Sequence, residues 1–341
     1  MARRLGHFGG EPFRSPRSRV RAQVLVVIVL TVAIIVVVLG QAGKLGFREV
    51  DVSTNPFSGR ALFADPSSAA SVAAAEAAPG SEEARLFSQI AEQPTAVWLV
   101  PERHPIGTVG LRAAQIVGEA AAVGAMPLLV LYGIPNRDCG NFSSGGLAPS
   151  EYRMWVSEIA AAIDSSPVAV IVEPDSLALA SECADVEDRV AQVREAARTL
   201  AQAGATVYLD GGHSNWLSAS SMAQLLQRAG VDEVRGFATN VSNFNHVSDE
   251  MSYAAKVMEA GGGSHYVVDS SRGGNGSTGE WCNPPGRALG TPPSVVAGDD
   301  ALDALLWIKP PGESDGPCSG GPAAGVWWPE SAIELARNAG W

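Results

Sequence analysis

Four aspartates stand just past runs of aliphatic and β-branched residues, and together they could carry acid–base or metal chemistry. They occur in Tyr132-Gly-Ile-Pro-Asn-Arg-Asp138-Cys-Gly, Ile171-Val-Glu-Pro-Asp175, Tyr208-Leu-Asp210-Gly-Gly-His213 and Lys309-Pro-Pro-Gly-Glu313-Ser-Asp315-Gly. A short apolar run reads as a strand buried on both faces of a parallel sheet. A polar residue beyond its C-terminal end projects into the crevice where α/β folds place their chemistry. Carboxyls crowded there raise one another's pKa, so that one stays protonated as a general acid while another is ionised. Cleavage of a glycosidic bond needs that division: an acid for the leaving oxygen and a base or nucleophile for the anomeric carbon. Asp175, in Glu-Pro-Asp immediately after the apolar strand 168–172, is the leading acid candidate. The competing structural reading makes it the cap of a helix running from Ser176.

Aromatic residues narrow the choice. Trp98, Trp216 and Trp281 fall near strand ends, the latter two close to Asn215 and Asn283. Sugars present apolar ring faces rimmed by hydroxyls, which stack on indole and hydrogen-bond to Asn, Ser, Lys and Glu. Trp307, inside an apolar run, reads instead as core. The same carboxylates could hold a hard divalent cation through Asp138, Glu173, Asp175, Asp210 and His213. Paired-histidine spacing is missing, so neither a metal nor an organic cofactor is expected. No GxSxG elbow supports a serine nucleophile.

The elements that must position these residues alternate along the chain. Strand-like runs occupy 95–100, 127–134, 168–173, 206–210, 236–240, 265–269 and 304–309. Helical stretches fall at 107–123, 149–163, 185–203, 220–228 and 248–260, and much of the Ala/Ser/Glu-rich segment 62–93 also reads as helix. Strands alternating with helices of this length predict βαβ units and a parallel sheet. Seven such strands in one continuous stretch favour closure into a barrel over an open, doubly wound sheet, and no GxGxxG follows the first strand. Two long segments, 140–149 and the Gly/Pro/Asn-rich 271–300, follow strand ends on the aspartate side, where long loops are usually functional.

A chain of 341 residues can bury a sizeable core, and with 46% hydrophobic and 18% charged residues it is neither disordered nor a basic nucleic-acid binder. The net charge of −12 is uneven, because residues 1–21 hold six arginines against Glu11 alone. The acidic remainder suits a neutral or cationic ligand and excludes a nucleic-acid partner. Residues 22–40 are apolar enough to approach the length of a bilayer span. Arginines on its N-terminal side place residues 1–21 in the cytoplasm and the rest outside. An uncleaved anchor at the cell surface is favoured over a cleaved signal peptide and a secreted product, with 41–54 as a linker to a single domain, 55–341. A monomer is expected. In an oxidising compartment Cys139, Cys183, Cys282 and Cys318 form an even set that allows three pairings. The pairing 139–183 and 282–318 is expected, because it closes local loops around the cleft.

Read in order from about Asn55 to the C-terminus, a series of blocks resembles glycoside hydrolase family 6. They are Asn-Arg-Asp138-Cys-Gly with Ser143-Ser144-Gly-Gly, Val-Glu-Pro-Asp175-Ser, Leu-Asp210-Gly-Gly-His213-Ser-Asn-Trp216, Ala-Thr-Asn240-Val-Ser-Asn, Glu280-Trp281-Cys282 and Trp307-Ile-Lys309-Pro-Pro-Gly-Glu313-Ser-Asp315-Gly. The resemblance implies a distorted, seven-stranded parallel (β/α) barrel, TIM-like, and an inverting β-1,4-glucanase acting on cellulose or related β-glucans. It makes Asp175 the general acid, Asp138 its neighbour and tuner, Asp315 the base-side residue and Asp210 a sugar-binding or supporting residue. Tyr132 would press on the distorted ring at the cleavage point, and Ser144 would meet the attacking water or belong to a flexible loop. Lys309 and Glu313 would bind hydroxyls, with Trp98, Trp216 and Trp281 lining sugar subsites and His213 and Asn240 in the binding set. The family's disulfides agree with the local pairing. Gly133 and Gly211 depart from commoner residues without removing a catalytic group. Short loops between the paired cysteines imply an open cleft and internal cleavage rather than an exo-acting cellobiohydrolase tunnel, and the presence of Asp175 disfavours a surface protein that binds β-glucan without cutting it. Inversion requires acid and base carboxyls roughly 6.5–9.5 Å apart.

Overall fold

Each apolar run singled out above forms a strand. The computed structural model describes residues 54–182, 186–296 and 298–341; the basic segment 1–21, the apolar span 22–40 and, Thr54 apart, the linker 41–54 lie outside the described residues. Nine strands follow in chain order: β1 (Ala61–Leu62), β2 (Val97–Leu99), β3 (Ala125–Met126), β4 (Leu128–Leu131), β5 (Ala169–Val172), β6 (Thr206–Asp210), β7 (Gly236–Thr239), β8 (Tyr266–Asp269) and β9 (Leu302–Leu306). Seven of them form one parallel sheet in the order β2-β4-β5-β6-β7-β8-β9, and β1 pairs with β3 beside it. The sheet curls until its edges meet at Thr95 and Trp307, where the Ala96 N–H donates to the Trp307 carbonyl at 3.0 Å. One such bridge at the seam, against three or more paired residues between every other pair of neighbours, is what distorts the barrel.

The period-two alternation of side chains divides each run between two cores. Leu128, Val130, Ala169, Ile171, Tyr208, Ala238, Val267, Ala304 and Leu306 fill the barrel. Leu129, Leu131, Val170, Val172, Val207 and Leu209 face outward against the helices. Burial on both faces explains why the runs are continuously apolar, each fully buried aliphatic side chain contributing about 1.5–3 kcal/mol. The helix Pro149–Ile163 starts with proline at its first turn and carries Tyr152, Trp155, Val156, Ile159 and Ile163 on one face, the helical spacing that packs them on the sheet.

Two features differ from the expectation. Segment 62–93 is helical for much of its length, as expected, but in two pieces, Ala69–Glu76 and Glu82–Ala91; the chain breaks at Pro79-Gly80, where Gly80 takes φ +81° and Ser81 caps the second helix by accepting from Ala84 N–H at 3.0 Å. A C-terminal helix, Pro329–Asn338, was not expected; with Glu82–Ala91 it covers the seam and encloses Trp307, which is core as anticipated. All described residues belong to one compact unit. Among the described residues, no helix is long and apolar enough to cross a membrane.

Candidate active site

The loops beyond the C-terminal ends of the strands surround a cleft of about 810 Å³. Its walls bring together Trp98, Tyr132, Asp138, Ser144, Asp175, His213, Trp216, Trp281, Lys309, Glu313 and Asp315. Two expected members are not on the wall. Asn240 is fully buried: its amide donates to the carbonyls of Asn245 (3.1 Å) and Asp269 (2.8 Å), and its oxygen accepts from Asn245 N–H, so it shapes the loop after β7 and has no group left for a ligand. Asp210 lies beneath the wall and supports Asp175 from below.

Asp175 is delivered by a backbone that departs from the strand at once: Glu173 and Asp175 take φ +52° and +67°. Turns continue to residue 182, and the next described helix begins at Val186, so there is no helix for Asp175 to cap. Its N–H donates to Asp210 Oδ2 at 2.9 Å, which fixes the backbone while the side chain keeps a partly exposed face toward the cleft. Enclosure by protein elsewhere, then the charges of Asp210, Asp138 and Asp315, hold the Asp175 carboxyl well above the usual carboxylate range. Burial also pushes Asp210 up to about 7, although Asp175 and Gly212 donate N–H groups to it.

The neighbouring strand end is braced by Glu173. This buried carboxylate accepts from Gly133 N–H (3.0 Å), Ile134 N–H (3.1 Å) and Tyr152 Oη–H (2.9 Å), and burial raises it to about 7. Arg137, also buried, donates to the carbonyls of Tyr132 (2.6 Å) and Ser143 (2.8 Å), pairs with Glu102 at 3.0 Å and stacks 4.7 Å from the Tyr132 ring centroid. That wiring holds the turn in which Asn136, Asp138 and Cys139 all have positive φ, and Ser143 N–H donates to Asp138 Oδ2 at 2.7 Å. Asp138 is raised by burial, with the Ser143 N–H opposing.

Asp315 is held differently. Arg272 donates to both of its oxygens (2.9 and 3.0 Å), Asn283 N–H donates at 3.1 Å, and Lys309 Nζ lies 3.8 Å away. Its neighbours are thus cations and an N–H donor, whereas those of Asp175 are other carboxyls. Burial lowers Lys309 and raises Glu313. Trp98 meets the Tyr132 ring edge-on at 5.3 Å, and His213 lies 5.3 Å from the Trp216 ring. Burial holds His213 neutral, its pKa lowered to about 4. Cys282 and Cys318 are joined, clasping Asn283 near Asp315; Cys139 is also disulfide-bonded, and Cys183, its expected partner, lies outside the described residues. The five residues weighed as a cation set do not converge, since Glu173 spends its oxygens on donors behind the wall and Asp210 lies under it. Among the described residues, no group of three or more such side chains is arranged to hold a metal.

A family model described as Glycosyl hydrolases family 6 matches residues 57–339. The chain belongs to glycosyl hydrolase family 6. Among its relatives, it is 47% identical over 266 residues to Endoglucanase A of Cellulomonas fimi, covering 78% of this chain and 59% of that protein. It is 44% identical over 263 residues to Endoglucanase A of Thermobispora bispora, covering 74% of this chain and 56% of that one. The chain therefore spans under two thirds of the length of these two relatives. A solved structure of the endoglucanase Cel6 from Mycobacterium tuberculosis, in complex with methyl-cellobiosyl-4-deoxy-4-thio-β-D-cellobioside, superposes with a TM-score of 0.80 at 46% identity, covering 84% of this chain and 100% of that one.

Several residues of this family 6 site were not visible to sequence reasoning. Arg272 and Glu102 are ordinary loop residues in the sequence, and only their distances to Asp315 and Arg137 mark them; Asn283 was noted beside Trp281 as a sugar-side polar residue, not as a donor to Asp315. Arg137 had a signal, since it directly precedes Asp138 in the first block.

The raised carboxyls carry a consequence for stability. A carboxyl whose folded pKa is raised binds its proton more tightly in the folded state, so its contribution is full below about pH 4 and is lost as pH rises through the folded value. For Glu173 and Asp210 that value is about 7, and Asp175 shifts in the same sense. His213, lowered to about 4, and His104, lowered in the same sense by burial, work in the opposite direction below about 6.5, but they are two groups against seven raised carboxyls, Asp138, Glu173, Asp175, Asp210, Glu250, Asp269 and Glu313. The melting temperature is therefore expected to fall between about pH 5 and pH 7; an equal or higher value at pH 7 would contradict these assignments.

Proposed function

We propose that this chain is an endo-β-1,4-glucanase that cleaves internal bonds of cellulose or a related β-glucan with inversion, using no metal or organic cofactor. The observation that carries the reading is the contrast between two carboxyls in one cleft: Asp175 is enclosed among Asp210, Asp138 and Asp315, which together with burial raise its pKa, while Asp315 is gripped by Arg272. Asp175 protonates the glycosidic oxygen as the bond to the anomeric carbon breaks. Asp138 keeps Asp175 protonated through its charge and steers the attacking water, with Ser144 beside it on the same loop. Asp315 supplies base-side charge; Arg272 Nη1, donating to both of its oxygens, competes for the lone pairs that would take the water's proton, which favours relay through a second water. Tyr132 presses on the distorted ring, Lys309 and Glu313 bind hydroxyls, and Trp98, Trp216 and Trp281 stack on sugar faces, with His213 neutral among them. Asp210 acts as support.

Internal cleavage is favoured by the short loops between the paired cysteines, too short to roof a long tunnel. The bonded Cys282–Cys318 pair supports an oxidising compartment, so the domain from residue 55 onward works outside the cell, at the surface if residues 22–40 stay as an anchor and secreted if they are removed. The site is built within one chain, in keeping with a monomer.

Two measurements test the proposal. Proton NMR of the first product from a soluble β-1,4-glucan should show the α-anomer before mutarotation; the β-anomer would overturn inversion. Viscosity of carboxymethylcellulose should fall steeply per reducing end released, and a shallow fall would replace the endo reading with an exo one.

A further inference from the structure

Phe142 has no part in the chemistry above, yet it occupies a decisive place. It lies on the loop after β4, and its ring is 5.7 Å from that of Trp281 on the loop after β8. In the order of the curled sheet β4 and β8 stand on opposite sides, so the two rings join loops that reach toward each other from across the barrel. Both rings are 49% exposed, and large apolar side chains brought together at a surface mark a place of contact rather than packing. Each end of the contact is wired to a carboxylate. On one side Ser143, next to Phe142, donates its N–H to Asp138; on the other Asn283, two residues from Trp281, donates its N–H to Asp315. Phe142 also lies over Gly316: a Cβ added there would sit 2.8 Å from Phe142 Cβ, at a φ of +154° that favours glycine. The residue after Asp315 must therefore be small for the ring to take this position.

We propose that Phe142 is a specificity-determining residue whose contact with Trp281 clasps the cleft over the catalytic carboxylates, retaining a β-1,4-glucan chain between successive cuts. The inference rests on the endoglucanase reading and deepens it. An aromatic pair shifts an equilibrium by about two- to tenfold. That is weak enough for the rings to part and admit the middle of a chain, as endo action requires. It is also strong enough that the clasp re-forms over a bound chain and slows its escape severalfold, acting on the off-rate rather than on the bond-breaking step.

The test uses the full chain with Phe142→Ala and Phe142→Tyr on phosphoric-acid-swollen cellulose, comparing soluble with insoluble reducing ends at equal extents of hydrolysis. Wild type should release several soluble ends per insoluble one. Phe142→Ala should lower that ratio about threefold, within the range an aromatic pair supplies, and Phe142→Tyr, which keeps the ring, should restore it. An unchanged ratio in Phe142→Ala, or a Tyr variant as low as the Ala variant, overturns the clasp while leaving the endoglucanase reading in place. A wild-type chain that releases no reducing ends removes both.

Discussion

Asp175→Ala is expected to lower kcat on soluble β-1,4-glucan by about 10²- to 10⁴-fold, the range a positioned general acid contributes. Binding should change little, because Asp175 is held in place by its backbone: the N–H that donates to Asp210 survives in the variant, and the aromatic and polar walls of the cleft are untouched. The loss should depend on the leaving group. An aryl cellobioside whose phenol leaves without protonation should retain most of its rate, since only the missing proton separates the variant from wild type. The pH profile should change in the same sense. In wild type the rate should fall as pH rises through the raised value of Asp175, and that limb should vanish in the variant. Equal losses on both substrates would mean that Asp175 organises the site and does not donate the proton.

The second large effect lies at the other end of the barrel. Between β8 and β9 the register steps from Tyr266–Leu302 to Val267–Ala304, leaving Asp303 as the extra residue of a bulge. The bulge turns its carboxylate toward Tyr208 Oη (2.6 Å) and the Arg235 guanidinium (2.7 and 2.8 Å), while its carbonyl accepts from the Asn55 amide (2.7 Å). Asp303 and Arg235 are both buried, so Asp303→Ala leaves a cation without its counter-charge in the interior. Breaking a buried pair from one side costs about 3–5 kcal/mol, far above the cost of losing an exposed one. In a domain of this size that corresponds to a melting temperature lower by on the order of 10 °C. A shift within the range of an exposed ion pair, about 1 kcal/mol or less, would show that the Arg235 charge finds water or another partner. Because the pair lies away from the cleft, activity per folded molecule should be nearly unchanged.

These two predictions draw on different sources. Asp175 was legible in the sequence because a strand buried on both faces must be apolar, so the carboxylates just beyond it, Glu173 and Asp175, stand out. The same logic located all seven barrel strands and placed Trp307 in the core. It failed where the signal was not periodic. Asp303 stands just before the expected run 304–309 but inside the strand that forms, Leu302–Leu306, and nothing in the sequence shows that a bulge redirects it. The 62–93 segment has helical composition throughout, and only Pro79-Gly80 marks its break. Asn240 stands at a strand end like the aspartates, yet its amide turns back into the loop, because the carbonyls of Asn245 and Asp269 are nearer than the cleft.

Hydropathy alone gave a parallel α/β sheet, with barrel closure favoured over an open sheet, and marked the aspartates just past the strand ends, because a strand buried on both faces is apolar along its length. The motif blocks then named the family and ranked the acids. Which acid is raised among other carboxyls and which is matched with a cation was decided only by tertiary structure. Asp175 and Asp315 follow similar strands, but one is enclosed among carboxylates and the other is gripped by Arg272 from a loop more than forty residues away. Electrostatic energy depends on distance through space and on exclusion of water, neither of which is written in the order of residues along the chain.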